Sequence, residues 1–260
     1  MRFDTFPFFN EMELLECRLE EMYDAVDYFV AVEADVDHQG HPKPYYLSEQ
    51  IERFDPWKDK LRVVRATDLP SVEDFPNAWW REIAQREHLV PELYRLGAQA
   101  DDIILHGDVD EIVRSVVARN VNPRGTVTLL QRGHFFAVDW LYPPGWEGTV
   151  AARVRDVKSF GDMRNTRRQN PERQTIPDAG WHFSWLGGDE AARVKVNAFC
   201  HPEVIPNVTD VLDKGNLFLT EGFHTDGTKL EPVDVDSTWP KYIHERRCPQ
   251  SWFRPREDQA

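Results

Sequence analysis

The sequence predicts an α/β chain built on a mostly parallel central sheet flanked by helices. Three observations predict it. Strand and helix patterns alternate from residue 2 to residue 112, the strands in that stretch are short and apolar, and one of them runs into an acidic turn. That strand is Ile103-Ile104-Leu105, apolar throughout as a strand buried on both faces should be, and it leads into His106-Gly107-Asp108-Val109-Asp110-Glu111-Ile112.

Residues 2–9 read as the first strand, with Pro7 as the one objection. From Glu11 to Val26, apolar residues at Met12, Leu15, Leu19, Met22 and Val26 make one helical stripe. Asn10, with Glu13 three residues on, predicts a capping box at its start. Tyr28 to Glu33 is the next strand, and the β-α-β order predicts parallel pairing. Asp37 to Pro44 carries turn chemistry. Residues 61–66 give a third strand, and a helix follows from Trp79 to Leu96, kinked at Pro91 and closed by Gly97. Beyond residue 112 the pattern becomes irregular: a β-prone run from Gly125 to Tyr142, then another strand at 149–154. Residues 246–260 are polar and Pro-containing, which predicts a loose tail.

The chain has 260 residues, with 31 basic against 45 acidic side chains and a net charge of −14. An acidic surface disfavours nucleic acid, which needs a basic footprint. Cys17, Cys200 and Cys248 are too few and too far apart to suggest a disulfide framework, which favours a reducing compartment. No signal peptide and no membrane-spanning run can be read in the sequence, so a cytoplasmic location is expected.

The acidic turn is the main candidate for chemistry. If the strand continues through it, Asp108 and Asp110 share a face and Val109 takes the other. Ligands of open α/β sheets sit outside the carboxyl ends of strands, where this pair falls. Adjacent carboxylates repel, and a divalent cation relieves the repulsion; a solvated acidic turn is the plainer alternative. Residues 153–173 hold seven basic side chains against three acidic ones, either as a charged loop face or as a contact for a phosphate or anionic acceptor. Residues 178–188 set Trp181, Phe183 and Trp185 around His182 and end in paired glycines.

Four segments, in this order, resemble glycosyltransferase family 17. They are Phe9-Asn10-Glu11-x-Glu13-Leu14-Leu15-Glu16-x-Arg18-Leu19, Val30-Ala31-Val32-Glu33, Gly107-Asp108-Val109-Asp110-Glu111-Ile112 and Gly180-Trp181-His182-x-Ser184-Trp185. The family's best-known member is the β-1,4-mannosyl-glycoprotein N-acetylglucosaminyltransferase. The resemblance implies a GT-A-like fold, a UDP-sugar donor, Mn²⁺ or Mg²⁺, and inversion at the anomeric carbon. It implies one domain over residues 1–245, with a nucleotide-sugar half at 1–115 and an acceptor half at 116–245. The acceptor, a glycan or a small molecule, is not specified.

On that resemblance Asp108 and Asp110 clamp metal and diphosphate, and His182 is the candidate third ligand, with His201 and His224 as weaker ones. Asn10 and Glu11 lie at the end of the first strand, and Glu33 ends the second, where it could hold ribose hydroxyls. Arg18 is either a donor contact or a structural ion pair. Lys43 and Arg86 are candidate diphosphate contacts, Trp181 and Trp185 candidate sugar platforms, and Glu111 a candidate for orienting a metal ligand. Inverting transfer needs a base, for which Asp178 is favoured over Asp139 and Glu221. Two rival readings are a Mg²⁺-dependent phosphohydrolase of haloacid dehalogenase type, with Asp108 as nucleophile, and a non-catalytic carbohydrate-binding protein.

Overall fold

Alternation along the first strands decides the architecture. Phe6, Phe29, Ala31, Ile103 and Leu105 feed one apolar cluster, while Phe3, Val30, Val32, Ala34 and Ile104 feed another on the opposite face. Strands buried on both faces need helices on both sides. The computed structural model describes residues 1–169, 173–198, 200, 205–214 and 217–255. In chain order its elements are β1 (Arg2–Pro7), α1 (Met12–Met22), β2 (Tyr28–Ala34), α2 (Tyr46–Glu49), β3 (Leu61–Ala66), α3 (Ala78–Glu87), α4 (Leu89–Arg95) and β4 (Ile103–His106). Then follow β5 (Glu111–Val113), α5 (Ser115–Asn120), β6 (Val127–Phe135), β7 (Trp140–Arg153), α6 (Phe160–Gln169), β8 (Gln174–Ile176) and β9 (Gly180–Ser184). The last are α7 (Gly188–Ala198), α8 (Ile205–Asp213), α9 (Leu217–Glu221), β10 (Glu231–Pro232) and α10 (Lys241–His244).

The sheet is mixed rather than mostly parallel. Its order is β3-β2-β1-β4-β7-β6-β9-β5, with β8 beside β6 and β10 beside β7. The first four strands pair in parallel, as the β-α-β pattern requires. Beyond β4 the pairing changes: β7 runs antiparallel to both β4 and β6. The four-residue connection from β6 to β7 permits only that direction between those two. β9 is parallel to β6, and β5 closes the path antiparallel to β9.

Strand β5 follows β4 in sequence yet lies four steps away in the sheet. Four steps of about 4.8 Å would span roughly 19 Å in a flat sheet, more than the roughly 17 Å that the chain from His106 to Glu111 can stretch. The sheet therefore curls, bringing Glu111 within hydrogen-bond reach of Trp146 and Thr149 on β7. Gly107 permits this: a Cβ there would stand 2.5 Å from Thr149 Oγ1 and 2.8 Å from Glu111 Oε2. Gly180 is equally constrained, since its Cβ would lie 2.1 Å from the carbonyl oxygen of Ile112.

Several local expectations change. Pro7 is the last residue of β1, paired with Val32 of β2 and beyond the last residue paired with β4, so its missing N–H interrupts no ladder. The predicted capping box is absent; Glu11 is the N-cap residue, and its carboxylate accepts from the backbone N–H groups of Phe9 and Asn10. The helix predicted from Trp79 to Leu96 is two helices broken at His88, three residues before Pro91, whose ring and missing N–H rule out a continuous ladder. Gly97, at φ +84°, closes the second, with Ala98 N–H donating to the Leu93 carbonyl and Gly97 N–H to that of Tyr94. The tail is not loose as far as Pro255. Trp252 and Phe253 are buried with Trp239, Tyr242 and Ile243, Arg247 pairs with Glu20, and Val138 N–H donates to the Trp252 carbonyl at 2.7 Å. Residues 256–260 lie outside the described residues.

Candidate active site

The carboxyl ends of β1, β2 and β4 open onto a cavity of about 250 Å³. Phe8, Phe9 and Glu11 enter from the end of β1, Asp37, His38 and Lys43 from the end of β2, and Asp108 and Asp110 from the end of β4. Position outside parallel strand ends is where α/β sheets hold ligands, because loops there diverge to opposite faces. The far wall comes from the antiparallel part: Trp146 on β7, His182 and Ser184 on β9, then Trp185 and Lys195.

Residues 107–110 form a turn between β4 and β5 rather than a continued strand. Arg18 shapes it from behind. Its guanidinium is fully buried, makes a bidentate pair with Asp4 at 2.7 and 2.6 Å, and donates to the carbonyls of Asp108, Val109 and Glu111 at 2.9, 3.2 and 2.8 Å. Glu111 N–H also donates to the Asp108 carbonyl and Thr149 Oγ1 to that of Glu111, so Arg18 completes the pairing of the turn.

The two aspartates then meet different partners. Asp108 Oδ1 accepts from Arg86 at 2.5 Å, and Oδ2 accepts from Arg164. Arg86 is shared with Glu82 at 2.6 Å, and Arg164 with Glu111 at 2.5 Å. Burial opposes the charge of Asp108, but Arg164 and Arg86 outweigh it and hold its pKa well below the ordinary carboxylate range. Asp110 Oδ2 accepts from Lys195 Nζ at 3.1 Å, and Oδ1 lies 3.5 Å from His182 Nε2. Burial again opposes ionisation, and Lys195 and His182 again lower the pKa. Burial works against the Lys195 ammonium too, yet Asp110 and Glu11 hold its pKa above the usual lysine range. Glu11 moves the other way: burial raises it, Lys195 lowers it and Asp110 raises it further.

His182 sits on β9. Strand alternation sends His182 and Ser184 to the cavity and Trp181 and Phe183 to the opposite core. The Trp146 indole stacks on the His182 ring at 4.2 Å, and His182 Nδ1 is buried without a partner among the described residues. A carboxylate oxygen and an imidazole nitrogen, both buried and 3.5 Å apart with the carboxyl ionised, are donor types that a divalent cation accepts. Among the described residues no group of three His, Cys, Asp or Glu side chains gathers as a metal cage. Asp108 is the less available ligand, since an arginine sits on each of its oxygens.

Of the residues singled out from the sequence, Glu11, Lys43, Arg86, Asp108, Asp110, His182 and Trp185 line this one cavity. Asn10 is exposed beside it. Of the other expected donor contacts, Arg18 takes its ion-pair alternative, and Glu33 and Trp181 lie outside the cavity lining. Arg18 is the buried clamp just described. Glu33, fully buried, accepts from the backbone N–H groups of Leu47 and Ser48 and so caps α2. Trp181, 1% exposed, lies under the Arg114 guanidinium at 4.0 Å. Asp178 is corrected as a base at this cavity: it lies outside it, paired with Arg114 at 3.0 Å and Arg132 at 2.9 Å. Asp139 binds Arg254 at 3.0 Å, His224 pairs with Asp226 at 2.9 Å, and His201 lies outside the described residues. Glu111 holds Arg164, Arg167 and the Trp146 indole N–H rather than a metal ligand.

Five of the seven basic side chains of the stretch at residues 153–173 are paired with carboxylates, and Arg167 among them also lines the cavity. Arg153 and Arg155 pair with Asp101, Arg173 with Glu147, and Arg164 and Arg167 with Glu111. Its local excess of positive charge was the only signal for Arg164. No sequence pattern pointed to Lys195, Trp146 or Glu82, which join the site only through folding. The phosphohydrolase reading needs a free first aspartate as nucleophile, and both oxygens of Asp108 are engaged.

These features define an α/β protein with a charged ligand cavity at the carboxyl ends of its parallel strands. The model of glycosyltransferase family 17 matches residues 2–219, and the chain belongs to that family and to its class of enzymes, the transferases. No curated protein matches the sequence. Among solved structures, a crystal structure of 4-diphosphocytidyl-2C-methyl-D-erythritol synthase is similar with a TM-score of 0.39 and 12% identity, over 68% of this chain and 89% of that one. Among the described residues no helix is long and apolar enough to cross a membrane.

Proposed function

We propose that this chain transfers a sugar, GlcNAc or another hexose, from a UDP-sugar to an acceptor hydroxyl with inversion. The observation that carries the reading is the single cavity that combines the Asp110–His182 pair with Lys43, Arg86, Arg167 and Lys195 at the ends of the parallel strands. A departing nucleoside diphosphate gathers negative charge, and cations held in place before the reaction stabilise it without reorganisation.

Asp110 and His182 are the residues that would hold Mn²⁺ or Mg²⁺, which when bound supplies Lewis-acid neutralisation of the diphosphate. Asp108, clamped by Arg86 and Arg164, positions the turn and presents the Arg86 guanidinium to the cavity. Phe8 and Phe9 offer apolar surface for the nucleoside, and Trp185 offers a ring face for the sugar. Glu11 is the carboxylate we assign as base in place of Asp178. It lines the cavity, its acceptor bonds come from two backbone N–H groups, and burial raises its pKa, which favours proton uptake.

The test is to incubate the protein with Mn²⁺ and UDP-, GDP- and TDP-sugars while following nucleotide release and thermal stabilisation. Metal-dependent UDP-sugar binding is expected, with nucleotide release falling at least about 100-fold in Asp110→Ala. Phosphate release without sugar transfer, or sugar binding indifferent to the nucleotide, would overturn the reading.

A further inference from the structure

Two demands on Asp110 meet at Lys195. The chain turns at Trp185, Gly187 and Gly188, all at positive φ, and continues from β9 into α7. Ala192 and Val196 of that helix are buried with Val208, Leu212 and Phe218, while Lys195 lines the cavity. Its Nζ lies 3.1 Å from Asp110 Oδ2 and 2.9 Å from Ser184 Oγ. The other oxygen of the same carboxylate, Oδ1, faces His182 Nε2 at 3.5 Å. One aspartate therefore serves an ammonium on one side and, on the other, the imidazole with which it would hold a divalent cation.

The arginines at the turn are committed differently. Arg86 bridges Glu82 and Asp108, and Arg164 bridges Asp108 and Glu111, each guanidinium buried between two carboxylates. Among the described residues, Asp110 is the one carboxylate within ion-pair distance of Lys195, whose side chain is 28% exposed. Two of the three ammonium N–H groups go to Asp110 and Ser184. A compact charge on a flexible four-carbon stem can pass from a carboxylate to a phosphate, which a bridged guanidinium cannot do without leaving two carboxylates unpaired. While it stays, the ammonium occupies one oxygen of Asp110, and its charge opposes any second cation on the same buried carboxylate.

We propose that Lys195 guards Asp110. Its ammonium holds the affinity for divalent cations low in the free enzyme and transfers to the diphosphate when the donor binds, which frees Asp110 and couples the two binding events. The transfer of the ammonium rests on the sugar-transfer reading above; the guard on Asp110 does not.

The experiment titrates Mn²⁺ alone into the parent, Lys195→Met and Lys195→Arg, with free Mn²⁺ read by electron paramagnetic resonance. UDP is titrated separately in EDTA by calorimetry. Lys195→Met should bind Mn²⁺ about tenfold or more tighter than the parent, and UDP without metal about tenfold or more weaker. Lys195→Arg, which keeps the charge, should stay within about threefold of the parent for Mn²⁺. A substitution that merely damaged the fold would weaken both ligands, so the opposite signs isolate the ammonium. The proposal is overturned if Lys195→Met binds Mn²⁺ no tighter than the parent, or if both proteins bind UDP with equal affinity. If neither binds UDP, with or without Mn²⁺, the transfer reading falls and the Mn²⁺ titration alone decides the guard.

Discussion

Arg18 and Lys195 grip opposite sides of the same turn, and they grip it differently. Arg18 is wholly buried and bidentate on Asp4, and its remaining donors go to backbone carbonyls. Lys195 is 28% exposed and makes single contacts to Asp110 and Ser184. The inner side is closed and fully paired; the outer side is open and holds charge that a ligand can reach. Rigidity behind the turn positions the aspartates, and incomplete pairing in front of it leaves them usable.

The largest effect should come from breaking the inner side. Arg18→Met leaves Asp4 charged and unpaired in the core and removes one donor from each of three carbonyls of the turn, and should lower stability by about 3–5 kcal/mol in chemical denaturation. Adding Asp4→Leu should restore much of that loss but not donor binding, because the carbonyls of the turn still lack the Arg18 donors. Full recovery of donor binding in the double variant would show that Arg18 does not shape the site.

Acid should act on both sides in sequence. His106, between Thr5 and Arg86, and His134 are buried and neutral, with folded pKa values below the unfolded value. The unfolded chain then binds more protons, so stability falls as pH drops below about 6.5. His134 alone accounts for about 2 kcal/mol by pH 5. Asp108, Asp110 and Glu111 also have lowered values, so their stabilisation is complete above about pH 4 to 5 and is lost below it. Thermal melts from pH 8 to 3 should show both declines, and His134→Phe should flatten only the first.

The smallest effect belongs to Arg86→Lys. An ammonium keeps the charge between Glu82 and Asp108 but not the planar fork, so stability should fall by about 1–2 kcal/mol. UDP-sugar affinity should fall with it, as isothermal titration can measure. An unchanged affinity would separate Asp108 from donor binding.

Much of the parallel part could be read in advance. The third strand has the predicted bounds, and β1, α1, β2 and β4 differ by a few residues at their ends, because two-sided burial and a helical stripe are local patterns. Asp108-Val109-Asp110 was visible for the same reason. Its expected common face was not realised: a turn supported by Arg18 replaces the strand and lets each aspartate find its own cations.

The sequence by itself determined the parallel β-α-β start, the acidic turn at its carboxyl end and the four segments that mark the family, since each depends on neighbours a few residues apart. Tertiary structure alone decided the rest. Lys195 reaches Asp110 across 85 residues, and Arg164 reaches Asp108 across 56. Asp178 and Trp181 were drawn away to Arg114. Long-range pairing of charges depends on where a curled sheet brings its far strands, and no local spacing encodes that.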